Sequence, residues 1–444
     1  MRSRFILSTL LLLTITACTG PTPTAELPTP TWTPTAVPPT AVPTSTPEPQ
    51  PAIPTLRLWL PEELNPYGSG PGADILRQQL AEFNGSHTDL QVDVAVKKIY
   101  GRGGMLDYLR TAKEAVPSIL PDLIVVGASD LETMVSSDYI QPLDGLLPSS
   151  LATDLFPFAV EMGLVTKQGD DEPSTMGFVI GADMQHMVYR TDLISSPPIS
   201  WTGIITPPIP FIFPAGGINQ QVNDATLIQY MAAGGKVTDQ EGNPTLDERA
   251  MIRLLTFYSN CTNTGAISPT AVLSIKDADQ SWERFKAGEG AIAVVNANSY
   301  WPEVTAGAID EPLVTTIAAA SVPTRDGYPF TIVRDGWAMA LVAQDPDRQA
   351  LAMTLLNWLT TPDNNAEWTQ AAGYLPSTRS ALRMWAVSGV ERGALRNMLE
   401  AALPAPSPDV LAVVGPIMQT AVEGVLTKTV SPQEAARAAV QSLK

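Results

Sequence analysis

Beyond residue 54 the chain alternates short apolar runs with helically spaced stripes. Leu56-Arg57-Leu58-Trp59-Leu60 reads as a short strand. Residues 66–72 are rich in Gly and Pro and read as a loop. Over 74–84, Ile75, Leu76, Leu80 and Phe83 recur at the spacing of one helix face. Leu90-Gln91-Val92-Asp93-Val94-Ala95-Val96 alternates with period two, the pattern of a half-buried strand, and 105–116 reads as a second helix. Pro121-Asp122-Leu123-Ile124-Val125-Val126 is a continuous apolar strand ended by Gly127, and 131–136 opens another helix. Further helices are predicted at 350–359, at 410–426 and from Ser431 onward, where Pro432 suits a first helical turn. This β-loop-α rhythm predicts an α/β fold with a parallel or mixed sheet covered on both faces. Ligands on such sheets gather at the carboxyl ends of strands. The loops after Leu60, Val126 and Val295 therefore locate a crevice, and they carry Glu62, Glu63, Ser129, Asp130, Asn296 and Asn298.

The first 54 residues follow different rules. Arg2 and Arg4 precede an apolar stretch over 5–15. It is too short for a permanent membrane helix, which needs about 20 apolar residues, and it suits a secretory signal peptide, residues 1–17. Ile15-Thr16-Ala17-Cys18 resembles the bacterial lipobox. That resemblance implies a diacylglycerol on Cys18, which becomes the first mature residue and holds the protein at the membrane. Residues 18–54 are dominated by Pro and Thr, with Trp32 their only aromatic. Such a stretch buries too little apolar surface to fold, and proline favours extended chain, so it reads as a stalk. No later segment reads as a membrane span.

Composition narrows the function by exclusion. The 45 acidic against 27 basic residues, with no basic run, exclude a nucleic-acid surface. With Cys18 lipidated, Cys261 is left alone, which excludes an internal disulfide, and its place at the end of a helical pattern reads as a buried structural thiol. His87 and His186 are the only histidines and lack metal-ligand spacing; His87 reads as a loop residue and His186 as a side chain that could line a crevice. No nucleophile elbow, zinc-protease motif or phosphate loop is present. No cofactor or metal is expected. A secreted glycosidase, which needs only two spaced carboxylates, is the enzyme alternative. A ligand-binding sensor lipoprotein is a further alternative.

Several segments, in order, resemble the extracellular solute-binding proteins of ATP-driven importers, in particular the sugar-binding group that includes maltose-binding proteins. They are the opening strand with Trp59; Pro121-Asp122-Leu123-Ile124 followed by Tyr139-Ile140-Gln141-Pro142-Leu143; Met187-Val188-Tyr189-Arg190-Thr191-Asp192-Leu193; Phe285-Lys286-Ala287-Gly288-Glu289-Gly290-Ala291-Ile292; Asp335-Gly336-Trp337-Ala338-Met339; and Gly373-Tyr374-Leu375-Pro376-Ser377. Arg190 replaces the family's usual Asn, and residues 197–214 depart most from the pattern. The resemblance implies a two-lobed periplasmic-binding-protein-like fold of type II, with mixed sheets flanked by helices and a hinge between lobes. The lobes would be 55–177 with 338–384, and 178–337 with 385–444. It implies a monomer that captures a small polar solute, a sugar by family expectation, and presents it to ABC permease subunits.

Sugars present C–H faces to aromatic rings and hydroxyl rims to Asp, Glu, Asn and Arg. On that logic the ligand-binding candidates are Glu63, Ser129, Asp130, Asp183, Asn298, Tyr300, Trp301, Trp337 and Arg379. Asp183 precedes Tyr189 by six residues, where the family commonly places a ligand-binding carboxylate. Asp130 reads equally as a helix N-cap. Of Tyr300 and Trp301, one is expected to face the cleft and the other the core. Trp59 lies within a strand and is expected in the core.

Overall fold

The computed structural model describes residues 53–305 and 311–443. The expected signal peptide, Cys18 and all but the last two residues of the expected stalk lie outside the described residues. Eleven strands form among those described: β1 (Thr55–Pro61), β2 (Gln91–Lys97), β3 (Leu123–Gly127), β4 (Leu164–Val165), β5 (Ser174–Thr175), β6 (Phe178–Arg190), β7 (Phe211–Ile212), β8 (Ile292–Asn296), β9 (Ile317–Ala320), β10 (Thr331–Leu341) and β11 (Ala402–Pro404).

The predicted β-loop-α units are present. β1 lies parallel to β2 and to β3, joined through the helices Pro71–Ser86 and Met105–Ala115. The first helix starts earlier than the pattern suggested. Pro71 occupies its first turn, where a fixed φ and a missing N–H are harmless, so the Gly/Pro loop is shorter than expected. The buried carboxylate of Asp122 ties these units together. It accepts from the backbone N–H of Arg57 at 2.7 Å and from Arg348 Nε at 2.8 Å. The latter sits on the helix Pro346–Leu359.

The main sheet is mixed and runs β2-β1-β3-β10-β6-β8-β7, with β11 on β10 and β9 on β6. Two long strands organise it. β6 pairs with β10 through Phe178–Met184, then with β8 and β9 through Gln185–Arg190. β10 pairs with β11 at its start and with β3 at its end. Both strands therefore change partners part-way along, and the core falls into two apolar clusters. One apolar cluster holds β1, β3 and the helices Pro346–Leu359 and Pro362–Ala372, and extends to Trp282, Tyr300, Trp301 and Trp385. The other holds the helices Glu248–Thr264, Pro408–Leu426 and Pro432–Gln441. β8 serves both: Ala293 and Val295 face the first cluster, Ile292 and Val294 the second. This is the period-two alternation of a strand buried on both sides. Full burial of Ile292, Val294 and Val295 stabilises by about 2–3 kcal/mol each before the entropy of ordering is counted.

The helix Pro408–Leu426 corrects one expectation. By length and composition it is apolar enough to cross a membrane. Here it is a core helix, packed on Glu248–Thr264 and Pro432–Gln441, with ten buried residues. The last helix opens with a capping box, Ser431 and Glu434 satisfying each other's backbone amides. Cys261 is fully buried in the helix Glu248–Thr264, as expected of a structural thiol. His87 caps the C-terminus of the helix Pro71–Ser86, its ring stacked 4.1 Å from that of Phe83.

Candidate functional site

The crossing of β6 and β10 builds the site. Asp335 lies directly opposite Asp183 in the antiparallel register, and Trp337 lies opposite Gly181 on one side and Gly127 on the other. The register slips between Val333 and Asp335, so Arg334 is a bulge residue, and it slips again between Trp337 and Ala338. Bulges bend a strand and re-aim its side chains. Here they swing Arg334 onto Asp224, which accepts from Nε at 2.8 Å and also from Nη2.

Asp183 is half-buried, and its Oδ1 accepts the backbone N–H of Asn298 at 3.0 Å. Burial pushes its carboxyl up to about 7, with the charges of Asp335 and Asp279 adding to the rise and the Asn298 amide opposing it. Asp335, although exposed, is raised as well, mainly by partial desolvation of its carboxyl and further by Asp224, against the attraction of Arg334. Beside them Asp279 accepts from Asn296 Nδ2 at 2.9 Å and from the hydroxyl of Ser299. Asp183, Gln185, Asp224, Asn296, Arg334 and Asp335 share the walls of a cavity of about 450 Å³.

A second group comes from the carboxyl ends of β1, β2 and β3. Glu63 lies in the short turn Glu62–Leu64 after β1 and is exposed. It lines a further cavity with Trp368 and Tyr374. Tyr100, in the loop after β2, donates its hydroxyl to both oxygens of Asp130 at 2.9 Å. Its hydroxyl is pushed up to about 12 by burial, then by the charges of Asp130, Asp335 and Glu63. Burial also raises Asp130, against the hydrogen bond from Tyr100. A Cβ on Gly127 would fall 3.0 Å from Asp130 Oδ2 and 3.5 Å from Ser129 Oγ. Both side chains therefore lie over the strand position that faces Trp337. The half-buried Trp337 meets Tyr374 edge-on at 6.5 Å, and Tyr374 stacks on Trp368 at 5.7 Å. Tyr374 in turn feels the charges of Asp183, Glu63 and Asp335. The result is an aromatic wall rimmed by carboxylates.

Glu63, Ser129, Asp130, Asp183, Asn298 and Trp337 are thus brought together, Asn298 through its backbone amide. Three candidates are not. Tyr300 and Trp301 are both in the core, 0% and 1% exposed, so neither faces the cleft. They sit on consecutive positions of the helix Ala297–Thr305, packed between β8 and the helix Pro362–Ala372, and His186 lies against both rings. His186 is itself fully buried and held near 4 by desolvation, so it is a neutral core side chain. Arg379 is the third. Its guanidinium grips Glu400 at 2.7 Å through both Nε and Nη2 and donates to the Leu155 carbonyl, which makes it a structural clamp. Asp130 stands at the N-cap position of Leu131–Ser136, but its side chain makes no cap bond, because Tyr100 takes both oxygens. Trp59 is core, as expected.

Tyr100, Tyr374, Asp335 and the Asp224–Arg334 pair were not among the candidates. Tyr100 was within reach of the carboxyl-end rule, which applies to β2 as well as to β1 and β3. Asp335 and Tyr374 lie inside the quoted motifs. Asp224 is 110 residues from Arg334, and no local signal links them. Among the described residues no cluster of His, Cys, Asp and Glu has the form of a metal site.

A model of the bacterial extracellular solute-binding protein family matches residues 78–391, well over half of the 444 residues. The chain belongs to that family. This solute-binding protein also shares its fold with solved sugar-binding proteins. The sugar-binding protein MalE from Xanthomonas citri superposes with a TM-score of 0.67 at 18% identity, covering 88% of this chain and 96% of the other. The cyclic alpha-maltosyl-1,6-maltose binding protein from Arthrobacter globiformis gives 0.64 at 18% identity, covering 88% and 97%. A solute-binding protein from Thermotoga lettingae, solved with α-D-tagatose bound, gives 0.60 at 18% identity, covering 88% and 98%. The periplasmic-binding-protein-like fold is therefore established. Its relatives are binding proteins rather than enzymes, so the glycosidase alternative is set aside, and the family's place of action is extracytoplasmic.

Proposed function

We propose that this solute-binding protein captures a carbohydrate or similar polar solute between two lobes that close about the β6–β10 crossing. The observation that carries the reading is the convergence there of Trp337, Tyr374, Asp130, Asp183 and Asp335 from separate strands and loops. Aromatic rings offer stacking faces, and carboxylates can each accept two hydroxyl hydrogen bonds. The lobes are 55–177 with 338–384, and 178–337 with 385–444. Supporting this division is the change of partners along β6 and β10. Closure of this kind is a hinge motion carried by a few crossover residues. The lipobox-like Cys18 supports a lipid anchor on the extracytoplasmic face. The stalk then holds a monomeric receptor near an ABC permease.

Calorimetry and thermal-shift screening against mono- and oligosaccharides, polyols and their phosphates test the capture reading. A ligand that binds the native state raises the melting temperature with concentration. Trp337→Ala is expected to weaken binding by about tenfold to a hundredfold. Unchanged affinity in both Trp337→Ala and Asp183→Ala would remove the proposed site while leaving the fold intact. Metabolic labelling with palmitate, abolished by Cys18→Ala, tests the anchor.

A further inference from the structure

We propose that the cavity beside β6 and β10 takes a solute bearing a protonated amine, an amino-sugar or polyamine type of ligand rather than a neutral glycan. The inference rests on the capture reading above and narrows its ligand class.

Asp183 and Asp335 stand directly opposite each other on adjacent antiparallel strands. Like charges in that position repel, and sheets avoid them unless something compensates. The one guanidinium on the cavity wall, Arg334, is committed to Asp224 through Nε and Nη2. Asp335 has no side-chain hydrogen bond or ion pair among the described residues. Asp183 has only amide partners, and Asp279 has only Asn296 and Ser299.

Gln185 supplies an independent sign. It lies two residues beyond Asp183, on the same face of β6, lines the same cavity and is 7% exposed. Its Oε1 has no partner. The amide cannot simply be turned round. Its Nε2 donates to Asn223 Oδ1 at 3.3 Å, and that oxygen is fixed as an acceptor by the Ala225 amide at 3.0 Å. The wall thus keeps a buried, unused acceptor beside a carboxylate pair whose one nearby cation, Arg334, is already paired with Asp224. An ammonium group donates three hydrogen bonds and accepts none. It also cancels the repulsion between Asp183 and Asp335, which a neutral hydroxyl leaves in place.

The groups facing Asp183 are Asp335 of β10, Asp279 of the helix Ala278–Lys286, the Asn298 amide and Tyr374. A cation among them draws the Asp183 carboxyl back toward its ordinary value of 3.8, so binding near pH 7 releases a proton.

The test is titration calorimetry on the purified full chain with matched pairs. The pairs are the glucosamine trimer against its fully N-acetylated counterpart, and spermidine against triacetylspermidine, with maltotriose as a neutral control. The amine-bearing member of at least one pair is expected to bind tenfold or more tightly, by about 30-fold for a well-desolvated charge pair. Its enthalpy should vary with buffer in the sense of proton release. Asp335→Asn should bring the ratio within a pair close to one. Equal or tighter binding of the acetylated or neutral member, or a ratio unchanged by both Asp335→Asn and Asp183→Asn, overturns the inference and leaves the capture reading standing. If neither these pairs nor the wider sugar panel bind, the capture reading itself falls, and this inference with it.

Discussion

Asp183→Asn without ligand is the sharpest check on the electrostatics of the site. The native carboxyl is held up to about 7 by burial and by the charges of Asp335 and Asp279, against an ordinary value of 3.8. Between those two values the native state keeps its proton and the unfolded chain has released it. The native state thus binds more protons in that window, and stability falls as pH rises through it, reaching its lowest contribution above the native value. Three units correspond to about 4 kcal/mol. The group is only half-buried, so solvent screening reduces this to about 2 kcal/mol. Asn keeps an acceptor for the Asn298 amide, carries no charge and does not titrate. The substitution is therefore expected to be nearly neutral at about pH 4 and to stabilise by about 2 kcal/mol at about pH 8. Urea unfolding followed by tryptophan fluorescence at several pH values reads the difference directly. A stability difference that does not change with pH, or a variant less stable than the parent at the alkaline end, would refute the assignment of an uncompensated carboxyl at the β6–β10 crossing.

Other predictions follow from the same geometry. Arg379→Ala breaks the clamp on Glu400 and the Leu155 carbonyl, so it should lower stability by about 1 kcal/mol in denaturant titrations and leave solute affinity unchanged. Gly373 has φ +81° at the end of the helix Pro362–Ala372, and an added Cβ would fall 2.5 Å from Pro302 Cγ and 2.9 Å from the Asn298 carbonyl; Gly373→Ala should destabilise by about 2–4 kcal/mol and, by shifting the Asn298 backbone, weaken binding. Burial pushes the Cys261 thiol up to about 12, so native protein should resist iodoacetamide at that residue, and peptide mapping should find it alkylated only after denaturant is added.

The local sequence was enough for the α/β class, for β1, β2, β3 and β8, and for the helices Pro71–Ser86, Met105–Ala115, Pro346–Leu359, Pro408–Leu426 and Pro432–Gln441. Those features depend on periodicity, which neighbouring residues record. Helix starts were placed within a few residues; the first was late because Pro71 was read as a loop residue rather than as a first-turn proline. The carboxyl-end rule located Glu63, Ser129 and Asp130, because it depends only on where strands stop. It could not decide between roles for one side chain. Asp130 as cap or as Tyr100 acceptor turns on a loop thirty residues away, and Tyr300 and Trp301 were separable from cleft aromatics only by what packs around them.

Register was beyond the sequence altogether. That Asp335 meets Asp183, that Arg334 bulges out to reach Asp224 and that Gln185 is left with an unused oxygen all follow from how two distant strands align. A one-residue shift would send every one of those side chains to the opposite face. Sequence by itself therefore determined many of the elements and the family expectation. The tertiary structure decided which charges are compensated, since compensation depends on distances across strands that no local pattern encodes.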